Sequence, residues 1–282
     1  VLSGDCVAAV ENMAELVTSA GSRQMILHCG DNLYQTNFGA TPTLISTVTA
    51  STNASFTRAF NQIIEVDGTR HVQYNGTSTT TIGGFPQCLF IEYSLGRIWC
   101  GRVTDESTSR IRISSVGAAT YWTVPANPKV IPDGPNYFDI SINDWQDLLC
   151  LKKSPWGVFA GKRNSLWIIK GYNNTNWYVQ NVDPAIGCTD NRSVQVVEGR
   201  IQWLAADGVY SWAGAGPIRL ESQDIESLIK TARQSTAQNE SWTVDSQAEF
   251  EAGVLNISGP GALVSATSTP GSVQPGKGGV YS

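Results

Sequence analysis

GVFAGKRNSLWIIKG (residues 157–171) and GRIQWLAADGVYSWAGAGPIRL (residues 199–220) share one texture. In each, a turn hands over to a short run of branched and aromatic residues, and the run ends at glycine. Short strands separated by turns, with no long helix between them, mark an antiparallel all-β architecture. The same unit recurs upstream as LGRIWCGRV (residues 95–103) and more faintly as GDNLYQTNF (residues 30–38). Recurrence of one hairpin-sized unit predicts a β-propeller of antiparallel blades.

Working outward, blade-like units are expected near residues 23–48, 59–83, 87–124, 138–182 and 188–221. Asp67-Gly68 and Asn75-Gly76 supply the positive φ of tight hairpin turns. Arg110, Arg112 and Ser114 alternate with Ile111 and Ile113, which gives one wet and one dry face. Leu166-Trp167 and Val209-Tyr210 fit a blade period of roughly 40–50 residues, while the earlier landmarks fit only with insertions. Two helices are predicted. One lies over residues 8–18, where Val10, Met13, Ala14 and Val17 fall at helical spacing. The other spans residues 222–238, with Ser222 as N-cap and Ile225, Leu228, Ile229 and Ala232 on one face. Residues 239–282, rich in Gly, Ser, Thr and Pro, read as a linker or the start of a second β-rich module.

The chain has 282 residues, 15% of them charged, and a net charge of −5. Soluble domains average about 25% charged. Such a surface suits a protein packed into an assembly or one living outside the cell. No basic run exceeds two residues (Lys152-Lys153, Lys162-Arg163), so there is no basic stripe for nucleic acid. Should a propeller channel face DNA, Arg102, Arg110, Arg112, Lys162 and Arg163 are the residues expected to line it. No apolar stretch approaches the ~18 residues of a membrane helix, so no membrane is expected among the partners.

The six cysteines (Cys6, Cys29, Cys88, Cys100, Cys150, Cys188) form no CxxC pair, so no zinc ribbon or thioredoxin motif is present. Cys29, Cys88, Cys100 and Cys150 sit in apolar runs and are expected as buried free thiols. No metal or other cofactor is predicted. With only His28 and His71 as histidines and no G-x-S-x-G, a serine hydrolase is not expected. No phosphate loop appears either. Asp133, Asp139, Asp144, Asp147, Glu198, Asp207 and Glu221 lie in no recognisable glycosidase motif. The chain is therefore read as not an enzyme, with no catalytic residues. Trp99, Trp167, Trp203, Asp207, Gly208, Tyr210 and Trp212 are assigned to blade structure, since propellers place large aromatics where tapering blades leave gaps. The alternative use of aromatics is a glycan-stacking platform, for which Trp122, Trp156 and Trp177 would group on one loop face.

Residues 145–225 also resemble the β-propeller virion proteins of tailed bacteriophages, of the packaged-DNA stabilisation or tail-hub type. The resemblance rests on SLWIIKG (residues 165–171), Gly187-Cys188 followed by Ser193-Val194, and the run from Gly199 through Ile225. It implies that Ser165-Leu166-Trp167 forms a blade strand, Gly187-Cys188 opens the next blade, and Asp207-Gly208-Val209-Tyr210 makes that blade's central hairpin. Gly96-Arg97-Ile98-Trp99 would be the matching strand of an earlier blade. It further implies a structural virion protein, a hub or adaptor in the head–tail or tail region. Its partners would be portal, adaptor or tail subunits in a large symmetric assembly, and DNA if the channel faces it. The alternatives are a secreted or cell-surface propeller that binds glycan or protein, and a glycoside-processing enzyme.

Overall fold

The structure, a computed structural model, describes residues 10–18, 21–37, 40–48 and 54–222, and the strands Trp242–Thr243, Ala248–Glu251, Val254–Ile257 and Thr267–Ser268. The strands number β1 Val10–Val17, β2 Arg23–Cys29, β3 Asn32–Thr36, β4 Thr43–Thr47, β5 Ser55–Ala59, β6 Gln62–Val66, β7 His71–Tyr74 and β8 Thr79–Thr80. They continue with β9 Cys88–Ser94, β10 Arg97–Val103, β11 Ser107–Ile113, β12 Asn136–Asp139, β13 Cys150–Ser154, β14 Gly157–Gly161, β15 Leu166–Lys170 and β16 Tyr178–Asp183. Then come β17 Gln195–Val197, β18 Arg200–Leu204, β19 Val209–Trp212 and β20 Arg219–Leu220.

These form five four-stranded sheets, each a meander of four consecutive strands. Pairing is antiparallel throughout the first four sheets. The chain divides into two compact units, residues 1–206 with 211–219, and residues 207–210 with 220–282. The boundary passes through the fifth sheet. In the second unit the strand Ala248–Glu251 pairs antiparallel with Val254–Ile257.

Within the first unit, the first strands of neighbouring sheets pack on one another: β1 on β5, β5 on β9, and β9 on β13. The cores lie between sheets rather than inside them. Leu16, Ile26 and Leu33 of the first sheet meet Ile63, Val72 and Tyr74 of the second. Ile64 and Val66 meet Ile91, Ile98 and Cys100 of the third. Phe90, Trp99 and Ile111 meet Leu151, Val158 and Ile169 of the fourth. The pleat explains this division. Ile98 and Cys100 point to one neighbouring sheet and Trp99 to the other, because successive side chains alternate faces. Both faces are covered, so the centre of β10, Ile98-Trp99-Cys100, is an unbroken apolar run.

Three of the sheets open with the same two-residue turn. Phe60-Asn61, Leu95-Gly96 and Glu198-Gly199 all have both residues at positive φ. This is the primed geometry whose twist matches a right-handed strand pair.

Three sequence expectations change here. Residues 10–17 form strand β1, not a helix. Its pairing with β2 spans the whole segment, and ladder bonds plus the burial of Leu16 override a weak helical spacing. The first sheet therefore starts at Val10, ahead of the expected 23. Asn136–Asp139 is the fourth strand of the third sheet rather than the opening of the fourth, which begins at Cys150. Cys29 is disulfide-bonded rather than a free thiol, whereas Cys88, Cys100, Cys150 and Cys188 are buried and free. The helix expected over 222–238 lies, beyond its N-cap Ser222, outside the described residues.

Candidate functional site: a pinned loop that presents Trp145

Between β12 and β13 the chain makes a short turn whose centre is the 3-10 segment Ile142–Asp144. Both flanks are left-handed although neither is glycine: Ser141 has φ 46° and Trp145 φ 56°. Each such residue costs on the order of 1–2 kcal/mol, so the surroundings must hold the loop in place.

They do so from both sides of Trp145. Lys162 is fully buried, and its Nζ donates to Asp144 Oδ1 at 2.7 Å, Ser141 O at 3.0 Å and Ser109 Oγ at 3.1 Å. The Gln146 amide donates to Asp144 Oδ1 at 3.0 Å, and Ser109 Oγ donates to Gln146 O at 2.8 Å. On the far side, Arg102 NH2 donates to Asp147 Oδ2 at 2.8 Å and Thr108 Oγ1 donates to Asp147 Oδ1. Arg102 itself sits at φ 54°, where the register of β10 against β11 shifts. Such a bulge re-aims a side chain, here toward the loop. Partial burial opposes ionisation of Asp144, but Lys162 and the Gln146 amide outweigh it and hold the carboxyl below its usual range. The loop is thus locked by charge-assisted bonds while the Trp145 side chain is left in water: the residue is 96% exposed. Ile142 beside it is 49% exposed.

The basic residues expected to line a channel are mostly committed to local carboxylates. Lys162 is enclosed within the loop network and faces no solvent passage, because burial selects a lysine only where its ammonium is paired. Arg102 binds Asp147. Arg110 grips Asp139 through Nε at 2.7 Å and NH2 at 2.9 Å, bonds Glu106 at 3.0 Å, and lies 4.2 Å over the Tyr137 ring. The Asp139 bond, with Glu106 in support, raises its already high pKa further. Arg112 bonds Glu106 and the Trp122 carbonyl. Arg163 is exposed.

The blade aromatics are packed. Trp99 is buried, donates to Ser94 O at 3.1 Å, and stacks on Phe138 at 5.9 Å. Trp203 donates to Gly187 O at 3.0 Å and its ring lies 5.4 Å from Phe159. Trp167 donates to Ser165 Oγ at 3.0 Å and packs against the core between the third and fourth sheets. Trp212 donates to Gly216 O at 3.2 Å. In the second unit Tyr210 OH donates to Asp207 Oδ2 at 2.7 Å, and a Cβ at Gly208 would fall 2.5 Å from Ser222 Oγ.

Four-stranded meanders whose faces pack sheet on sheet, with first strands innermost, leave one architecture. The fold is a β-propeller. In a search of solved structures, the extracellular domain of a hybrid two-component system (BT4673) from B. thetaiotaomicron matches 78% of this chain at 8% identity, with a TM-score of 0.54. The chain spans only 28% of that protein. The Myceliophteria thermophila Cps50 (Swd1) propeller domain matches over 76% of this chain and 72% of its own, at 9% identity and a TM-score of 0.44. YCF48 bound to a D1 peptide matches over 67% and 57%, at 11% identity and a TM-score of 0.42. At 8% identity the likeness to the BT4673 domain is one of fold. No protein-family profile and no curated protein matches the chain.

The propeller does not gather the tryptophans considered for glycan stacking. Trp122 is buried, Trp156 packs 5.8 Å from Trp212, and Trp177 lies edge-on to Trp99 at 5.4 Å and Phe138 at 6.0 Å. Among the described residues, no cluster of His, Cys, Asp and Glu is suited to a metal ion, and no helix is long and apolar enough to cross a membrane. Trp145 was readable in one respect only. It is a lone aromatic in the polar run SINDWQD (residues 141–147), with an aspartate on either side.

Proposed function

We propose that this propeller is a non-catalytic binding module that docks a protein partner through residues 141–147, with the Trp145 indole as anchor. One observation carries the reading: a nine-tenths-exposed tryptophan on a loop fixed by the buried Lys162 and by Arg102. Tryptophan is enriched at binding hot spots because one rigid ring buries a large area at little entropic cost. At ~25 cal/mol per Å² and ~200 Å² per ring, its burial is worth about 5 kcal/mol before association costs. Pinning the loop in advance removes part of the ordering cost of binding.

The resemblance to phage propellers supplies one setting for this role, a virion hub whose partners are neighbouring virion subunits. The disulfide at Cys29 favours the other setting, an extracellular or surface-attached propeller, because disulfides persist where the surroundings are oxidising. Both settings use the same docking loop.

The test is a photo-crosslinking residue placed at position 145 in the source organism's own extract, with the same residue at exposed Tyr172 as control. A discrete protein adduct from 145 alone, suppressed by excess wild-type chain, supports the reading. Equal labelling from both positions contradicts it.

A further inference from the structure

Cys150 and Cys188 come from distant points in the chain and meet in the core. Cys150 opens β13 and lies opposite Gly161 of β14. Cys188 lies in the segment between the fourth and fifth sheets, held by its amide, which donates to Lys162 O at 2.8 Å. It occupies the space that a side chain at Gly161 would fill. A Cβ there would fall 2.5 Å from Cys150 Sγ and 2.8 Å from Cys188 Cβ. The missing side chain lets the two cysteines close on each other. Both are wholly buried and free, and Cys188 Sγ donates to Asp190 O at 3.4 Å.

We propose that Cys150 and Cys188 are a site of oxidative cross-linking, where a disulfide ties the fourth sheet to the segment leading into the fifth. Thiol exchange needs one of the two cysteines as a thiolate and the other to resolve the mixed disulfide. The oxidant is a disulfide, small-molecule or protein-borne. The first cysteine, as thiolate, attacks one of its sulfurs and expels the other as a thiolate, giving a mixed disulfide. The second cysteine, deprotonated, then attacks the Sγ of the first and expels the oxidant's second thiolate. Two protein thiols are oxidised, one disulfide is reduced to two thiols, and no other electrons move. Burial in the folded core requires that this happen before the segment around Cys188 docks. The disulfide at Cys29 shows that the chain is one that takes such bonds.

The experiment refolds the full chain with glutathione disulfide or with dithiothreitol, alkylates free thiols, and maps peptides by mass spectrometry without reduction. The expected result is a Cys150–Cys188 linked peptide only in the oxidised sample. The midpoint of thermal unfolding should rise by on the order of 10 °C on oxidation, from closing a loop of this length. Cys188→Ser, oxidised in parallel so that Cys29 is treated alike, should lose the linked peptide and most of that rise. Gly161→Ala should fold less stably and fail to form the link. Natively folded, oxidised protein in which Cys150 and Cys188 are both alkylated would overturn the proposal, as would pairing of either with Cys88 or Cys100.

Discussion

Lys162→Met removes the ammonium that organises the 141–147 loop while keeping most of the buried stem. Three acceptors lose the ammonium: Ser141 O, Ser109 Oγ and Asp144 Oδ1, the last of which keeps the Gln146 amide. Hydrogen bonds to a charged group contribute about 1.5–3 kcal/mol each, and breaking a buried pair from one side costs about 3–5 kcal/mol. Water reaches part of the deficit, because the Asp144 side chain is 24% exposed and can rehydrate. Ser109 is almost wholly buried and cannot do so fully. A net loss of about 3 kcal/mol follows, with the αL residues Ser141 and Trp145 free to relax. The assay is urea unfolding followed by circular dichroism, with Arg23→Met as control. Arg23 pairs with Glu15 at 3.1 Å, but its side chain is 67% exposed and its loss should cost under ~1 kcal/mol. The loop itself is read by hydrogen exchange at the Gln146 amide, which should speed up in Lys162→Met and not in the control. A loss below about 1 kcal/mol with unchanged exchange would refute the claim that Lys162 holds the loop.

Other outcomes follow from the same contacts. Trp145→Ala should leave stability within about 0.5 kcal/mol of wild type, since the ring touches water, yet weaken partner binding at least tenfold; equal affinity by titration calorimetry counts against the anchor role. Trp203→Ala, which empties a fully buried site beside Phe159, should cost about 3–5 kcal/mol in the same unfolding assay. The two histidines should give stability an optimum near pH 6.5. Burial works against the His28 cation, but Glu65 Oε1 at 3.0 Å and the Gly30 carbonyl raise its pKa, so its contribution is complete below about 6.5 and drains as pH rises through the folded value. His71 is lowered by burial, and its Nε2 accepts the Ile82 amide at 2.7 Å, so its contribution is complete above about 6.5 and lost as pH falls. His28→Gln should flatten the alkaline arm of a stability–pH curve and His71→Gln the acid arm; the reverse pattern would show the assignments to be wrong.

Much of the propeller is written in local chemistry. Asp67-Gly68, Asn75-Gly76 and Leu95-Gly96 announce their turns because positive φ favours few residues. The strands around Trp99 and Trp167 announce themselves by short apolar runs, Ile98 to Cys100 and Leu166 to Ile169, because neighbouring sheets cover both of their faces. The repeat is faint because the backbone carries it with different residues. Phe60-Asn61 and Glu198-Gly199 make the turn that Leu95-Gly96 makes, yet share no motif with it beyond a final glycine in two of the three. The stretch from Val10 to Val17 misleads because its apolar residues suit both periods, and only pairing with β2 decides. The anchoring of the 141–147 loop was hidden for a related reason. Arg102 on β10, Thr108 on β11 and Lys162 just after β14 reach Asp144 and Asp147 from 18 to 45 residues away in sequence, and no local pattern encodes that meeting. What composition offered instead was a set of basic residues without partners, which invited a channel.

Sedimentation of the chain in native extract, wild type beside Trp145→Ala, tests the docking claim most directly. The account predicts a wild-type chain that travels in a larger complex and a variant that is folded but shifted to its own mass. If wild type and variant sediment together, whether both as single chains or both within one large particle, Trp145 is not the anchor and the docking loop is misassigned.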